Sequence, residues 1–99
     1  MSDLTITFTE TDTKGKYLAN APGIAEAGEL TTSKVSDTLL IVDHTYLPDT
    51  LRGKGIAGAL AERVIADARV KGQRLVPLCQ FFRGYAVKRK EELSDVIQW

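Results

Sequence analysis

The sequence predicts an α/β protein, an α+β sandwich of one mixed sheet with helices packed on it, and three observations carry that expectation. The first half of the chain is β-like, beginning with apolar and polar residues alternating at period two. The apolar spacing becomes helical between Gly53 and Lys71, and a short apolar run, Arg74 to Cys79, separates that helix from a second. At 99 residues the chain is expected to be a single domain, 1–99, large enough for a real core but not for a second lobe. Its 43% hydrophobic and 26% charged residues describe a folded globular protein rather than a disordered or fibrous one.

Leu4-Thr5-Ile6-Thr7-Phe8 alternates as a half-buried strand should, and Thr13 to Gly15 reads as the turn after it. Lys16 to Asn20 is a second short strand, closed by Ala21-Pro22-Gly23. The threonine-rich stretch Ile24 to Val35 is expected to be extended from about Ala25, with Gly28 as a bulge or irregularity. Ser36-Asp37 connects it to Leu39–Tyr46, whose run Leu39-Leu40-Ile41-Val42 suits a strand covered on both faces. Ile56, Leu60 and Val64 then recur at i+4, with Ala57, Ala61, Ile65 and Ala68 widening the stripe, and Gly72 is the stop expected just past a helix end. Arg74 to Cys79 is the next strand, and Phe81 to Leu93 a second helix. Because a crossover helix joins parallel strands, Leu39–Tyr46 and Arg74–Cys79 should run parallel.

Lys plus Arg equal Asp plus Glu at 13 each, so the global field argues against nucleic acid or a membrane surface as partner. Met1 to Gly15 is polar and threonine-rich, unlike a signal peptide, and Leu39 to Val42 is far too short to cross a bilayer. A single cysteine cannot form an internal disulfide, which fits a cytoplasmic location. No metal site is expected.

Arg52-Gly53-Lys54-Gly55-Ile56-Ala57 stands between the longest apolar strand and the first helix. Two glycines let the backbone approach an anion without a Cβ in the way, and the first turn of a helix has N–H groups with no internal partner. A pyrophosphate fits such donors, with Arg52 and Lys54 adding charge-assisted contacts. Gly53 to Gly58 also spells G-x-G-x-x-G, but the loop Pro48 to Leu51 intervenes after the strand, and no acidic residue ends the next one to hold a ribose, as the dinucleotide fingerprint requires. No Gly-Lys-Ser or Gly-Lys-Thr closes a Walker loop. From these residues alone, glycines that merely shape a turn remain an equal reading.

Taken with its neighbours, this loop resembles the GNAT superfamily of acetyl-CoA-dependent N-acetyltransferases, and its short single-domain YjdJ-type branch in particular. The resemblance is carried by His44-Thr45 at a strand end, Pro48, Arg52 to Ala57, Pro77-Leu78-Cys79 and the aromatic stretch Phe81 to Tyr85, over about Gly28 to Glu92. It implies a minimal acyl-CoA N-acyltransferase fold with a mostly antiparallel mixed sheet, whose parallel central strand pair splays to admit the pantetheine arm. It also implies acetyl-CoA as co-substrate, with Arg52, Gly53, Lys54, Gly55, Ile56 and Ala57 around the pyrophosphate and the backbone of Thr45, Tyr46 and Leu47 along the arm. The sequence departs from the branch at Gln80, where proline is common, and at Arg89-Lys90-Glu91, which puts the C-terminal contacts in doubt.

Acetyl transfer needs a base, an oxyanion donor and an acid for the leaving thiolate, and three side chains are candidates. His44 is the only histidine, with a reference pKa of about 6.5 that suits proton transfer, although a lone strand histidine is as readily structural. Cys79 is the only cysteine, placed before a helix where the dipole favours a thiolate that would accept the acetyl group; inert packing is the alternative. Tyr85 matches a position where related enzymes place a tyrosine near the coenzyme sulfur, against the plainer reading of a core tyrosine. Phe81 and Phe82 read as packing, and Arg83, Lys88, Arg89 and Lys90 as a solvated basic face. Only Glu10 to Lys14 separates the first two strands, where fuller domains carry acceptor-side helices, so the amine acceptor is unreadable. A non-catalytic module that only binds CoA or acyl-CoA is the competing expectation.

Overall fold

A computed structural model describes residues 4–99 and contains five strands, two α-helices and one short 3-10 turn; Met1 to Asp3, the start of the polar stretch noted above, lie outside the described residues. Strand β1 (Thr5–Glu10) turns Ile6 and Phe8 inward. It pairs antiparallel with β2 (Lys14–Asn20), in which Gly15, Tyr17 and Ala19 are buried. Strand β3 (Gly28–Ser36) pairs with β2, and β4 (Leu39–Tyr46) with β3, both antiparallel. After helix α1 (Ile56–Lys71), strand β5 (Arg74–Pro77) runs parallel to β4, as a crossover helix requires, and helix α2 (Gln80–Lys88) follows. The strands lie in sequence order.

Both helices cover the sheet face that carries Tyr17, Leu30 and Val42; with Leu60, Val64, Leu75 and Phe82 these side chains make one core. A polar network fastens α1 to the first hairpin. The Tyr17 hydroxyl donates to Asp67 Oδ2 at 2.7 Å, and Arg63 donates both to Asp67 and to the Ile6 carbonyl. Burial, and then the bond to Asp67, push the Tyr17 hydroxyl far above its ordinary pKa, so it stays a neutral donor. Gly72 closes α1 with φ of 69°, the amides of Gly72 and Gln73 taking the carbonyls of Arg69 and Ala68.

Several boundaries differ from the sequence reading for identifiable reasons. The turn before β2 falls at Thr11 to Thr13, because Thr11 accepts from the Lys14 amide, and Gly15 sits inside the strand. Strand β3 starts at Gly28, in regular register with Ala19; a Cβ there would lie 2.6 Å from Leu47 Cδ2, so this glycine answers a close approach rather than a bulge. The register shifts fall instead between Thr31 and Thr32 and between Lys34 and Ser36. The run Leu39 to Val42 is covered on one face, leaving Leu39 and Ile41 half-buried on the open side. Strand β5 stops at Pro77, and α2 ends at Lys88 rather than Leu93, because the chain turns back to bury Leu93, Val96 and Ile97.

That returning segment forms a single parallel bridge, Leu75 with Ile97, along β5. Arg74 donates to the carbonyls of Ser94, Asp95 and Ile97, and Arg69 meets Asp95 through two nitrogens at 2.9 and 3.0 Å. The hydrogen bond from Arg69 holds the Asp95 carboxyl below its usual range. A depressed carboxylate stabilises the fold above its ordinary pKa and loses that contribution as pH falls through the lowered value. The melting-temperature gap between wild type and Arg69→Ala is therefore expected to narrow below about pH 4. A gap unchanged at about pH 2 would mean that this ion pair does not fasten the tail.

Candidate active site

The irregularity in β4 arranges the site. Thr32 pairs with Val42 and Thr31 with His44, so Asp43 is an extra residue and the alternation of β4 changes phase there. Val42 faces the core, His44 pairs with outward Thr31 on the open face, and Thr45 pairs with buried Leu30 and so faces inward. The open face also holds a short polar chain in which Lys14 Nζ donates to Ser33 Oγ at 2.7 Å and Ser33 Oγ donates to Asp43 Oδ2 at 2.6 Å. Period-two counting could not reveal this group, since the register across three strands assembles it.

Strand β5 pairs with β4 only from Leu39 to Val42, and the Cys79 amide donates to the Val42 carbonyl at 2.8 Å to end the contact. Beyond that point Asp43 to Tyr46 have no partner on β5, and a gap opens between the parallel strands. Cys79 caps α2 from the inner side of this gap, 7% exposed, its Sγ donating to Thr45 Oγ1 at 3.2 Å. Thr45 as the partner of the thiol is a role the sequence did not announce. Cys79 and Thr45 are thus brought together, whereas His44 is on the opposite face of the sheet from both. Tyr46, 50% exposed, and Phe81, 41% exposed, leave apolar surface uncovered, so only Phe82 of the two phenylalanines is core packing.

Tyr85 is half-buried on α2, with the Arg89 guanidinium 3.8 Å over its ring and Phe81 at 6.3 Å. Its ring edge meets α1 at Gly58, where an added Cβ would be 4.0 Å away. Partial burial raises the Tyr85 pKa, with Arg89 acting in the opposite sense, so the phenol keeps its proton at neutral pH. Of the basic run, Arg89 covers Tyr85 and Lys90 lies over Trp99, while Arg83 and Lys88 are solvated.

The loop from Leu47 to α1 is held by buried Leu51, by Arg52 Nε donating to the Leu47 carbonyl, and by an Arg52–Asp49 ion pair at 3.2 Å. Gly53 and Gly55 have φ of 77° and 74°, the left-handed region that favours glycine, and Gly55 caps α1. Among the described residues, none accepts a hydrogen bond from the backbone amides of Gly53 to Gly58. Of these six free amides, those of Gly55 to Gly58 lie at the positive end of the 16-residue helix, a geometry suited to an anion, with Lys54 exposed beside them. Ile56 is buried and serves the core, so only its amide is available to a ligand. Among the described residues no three His, Cys, Asp or Glu gather as a metal requires, and no helix is long and apolar enough to cross a membrane.

Residues 16–96 match a family model described as GCN5-related N-acetyl-transferase. Among solved structures, the solution structure of a GCN5-like protein from Staphylococcus aureus is similar with a TM-score of 0.70 and 24% identity, over 99% of this chain and 91% of that one. The crystal structure of a GNAT family acetyltransferase from Elizabethkingia anophelis with acetyl-CoA bound is similar with a TM-score of 0.62 and 16% identity, over 76% of this chain and 64% of that one. At these identities the likeness speaks for the fold. No curated protein matches the chain.

Proposed function

The chain belongs to the GCN5-related N-acetyltransferases, and on that premise we propose that it moves an acetyl group from acetyl-CoA to a primary amine presented on the open face of the sheet. The observation that carries this reading is the unpartnered amide cradle of Gly53 to Gly58 beside the unpaired stretch of β4. The amides of Gly53 to Gly58 receive the pyrophosphate, Lys54 adds charge, and Arg52 keeps the loop in shape through Leu47 and Asp49. The backbone of Thr45, Tyr46 and Leu47 lines the gap for the pantetheine arm, with Tyr46 and Phe81 as apolar flanks.

Bound acetyl-CoA supplies a thioester carbonyl. An amine beside His44 attacks that carbon, forming the C–N bond as C–S breaks; His44 takes the amine proton, and the neutral Tyr85 phenol returns one to the sulfur. The opposite facing of His44 and Cys79 favours this direct route over a covalent acetyl carrier, and Cys79 holds Thr45 instead. An unpaired cysteine is in keeping with a reducing cytoplasm.

Calorimetric titration with acetyl-CoA tests the coenzyme site. Arg52→Ala is expected to weaken binding about fivefold, ~1 kcal/mol, because an exposed ion pair and a loop hydrogen bond are lost while the fold persists. Absence of binding to the wild type at about millimolar ligand would remove both the transferase and the carrier reading.

A further inference from the structure

The two edges of the sheet are finished differently. Along β5 the returning tail pairs Ile97 with Leu75 and covers the outer edge. Along β1, none of the described residues pairs with the outer backbone. The Thr11 amide donates to the Lys14 carbonyl, which makes these two a close pair. Alternation then gives Thr9 and Thr7 the next ladder bonds to β2, and turns the N–H and C=O groups of Ile6, Phe8 and Glu10 outward. Of these groups only the Ile6 carbonyl has a partner among the described residues, Arg63 Nη1 at 3.3 Å. Exposed sheet edges are ordinarily blunted by a lysine, a proline, a bulge or a very short strand. Thr5–Glu10 holds neither lysine nor proline and keeps unbroken register with β2 over its 6 residues.

Unpaired backbone accepts any extended strand, and the side chains decide which. Ile6 and Phe8, on the helix side, are only half-buried against the core. On the open side a threonine stands at every odd position from Thr5 to Thr11, so that this side of the strand reads alike in both directions. A two-fold contact demands such self-matching, because residue i must face j while j faces i. An antiparallel pairing that joins the outward groups centres on Phe8 or on Thr7. About Phe8, Thr7 faces Thr9, Thr5 faces Thr11 and Glu10 faces Ile6; about Thr7, Ile6 faces Phe8 and Glu10 faces Leu4. The charges select the first. The Glu10 carboxylate meets no cation within ion-pair distance among the described residues. Arg63 binds Asp67 through Nε and the Ile6 carbonyl through Nη1, which leaves Nη2 with no partner among the described residues. Centring on Phe8 sets Glu10 of one copy beside Ile6, and hence beside the Arg63 guanidinium, of the other. Centring on Thr7 leaves both charges unmatched.

We propose that β1 is the contact of a two-fold dimer, in which two copies of the chain join their β1 strands antiparallel about Phe8 and extend one sheet across both molecules. Glu10 of each copy meets Arg63 of the other, and Ile6 and Phe8 lose their remaining exposure. A single strand pair covers less than the ~1,600 Å² of a standard interface, so the dissociation constant is expected on the order of 100 µM. The contact lies at the opposite edge of the sheet from the gap between β4 and β5, and is independent of the transferase reading.

The test is sedimentation of the full chain from about 10 µM to about 1 mM, with amide NMR spectra over the same range and an isotope-filtered NOE measurement on mixed labelled and unlabelled chain. Dimer formation is expected to shift the amides of Ile6, Phe8 and Glu10 and to slow solvent exchange at the Phe8 amide. It should also bring Thr7 Hα of one copy against Thr9 Hα of the other. Glu10→Lys, at an exposed position, is expected to raise the dissociation constant at least about tenfold, because like charges then face each other, and Glu10→Gln about threefold. Dispersed spectra of both variants establish that they fold. A chain still monomeric at about 1 mM would leave this edge to a strand from another protein and overturn the proposal. So would concentration-dependent shifts centred elsewhere, a Thr7 to Thr7 contact between copies, or an undiminished dimer in Glu10→Lys.

Discussion

Replacement of His44 by alanine is expected to lower kcat/KM for acetyl transfer by about 10²- to 10⁴-fold, the usual contribution of a positioned proton acceptor, while the affinity for acetyl-CoA changes less than about twofold. The separation follows from placement. His44 is exposed on the open face, away from the amide cradle and from the inward Thr45, so truncating it removes no coenzyme contact and opens no core cavity. The assay would follow CoA release with spermidine or a lysine peptide, whichever the wild type turns over. Added imidazole should restore part of the lost rate, because a diffusible base replaces the missing one. A variant that keeps more than about a tenth of the wild-type rate would exclude His44 as the base and return attention to Asp43 on the same face.

Phe82→Ala is expected to cost about 3–5 kcal/mol, the range for truncating a buried aromatic side chain. Phe82 is fully buried where α2 meets the core, and small domains hold only about 5–15 kcal/mol in all. At about 4–8 °C per kcal/mol for a domain of this size, the thermal midpoint followed by circular dichroism should fall by at least 12 °C or so. Because α2 carries Cys79 at its cap and Tyr85 along its length, the loss should also weaken acetyl-CoA binding at temperatures where the variant is still folded. A shift of only a few degrees would show that α2 is not docked through this side chain.

Much of this arrangement is legible in the sequence because local physics sets it. Ile56, Leu60 and Val64 fix the buried stripe of α1, Gly72 ends it, and the crossover then forces β5 to run parallel to β4. The loop glycines at 53 and 55 are read from their residue type, since left-handed backbone favours glycine. What could not be read depends on partners distant in the chain. Alternation from Leu40 and Val42 would place His44 inward, and only pairing with Thr31 shows that Asp43 is an inserted residue that reverses it. Helical spacing of Phe82, Tyr85, Ala86 and Arg89 carries the sequence expectation for the second helix on to Leu93, past the observed end of α2 at Lys88. Burying Leu93, Val96 and Ile97, with Arg69 and Arg74 holding the carbonyls of Glu92 and Ile97, outweighs that local preference.

Among the described residues the helices occupy one side of the sheet only, and the other side, with His44 and Asp43, faces solvent. A third layer would shield a reaction from water and shape a cavity for one acceptor. If the amine reacts beside His44 as proposed, those tasks pass to the acceptor itself: whatever brings the amine must also dry and enclose the place where it reacts. Selectivity then depends less on a pocket than on how much of this flat surface a partner can cover, and between encounters the thioester stands open to slow hydrolysis.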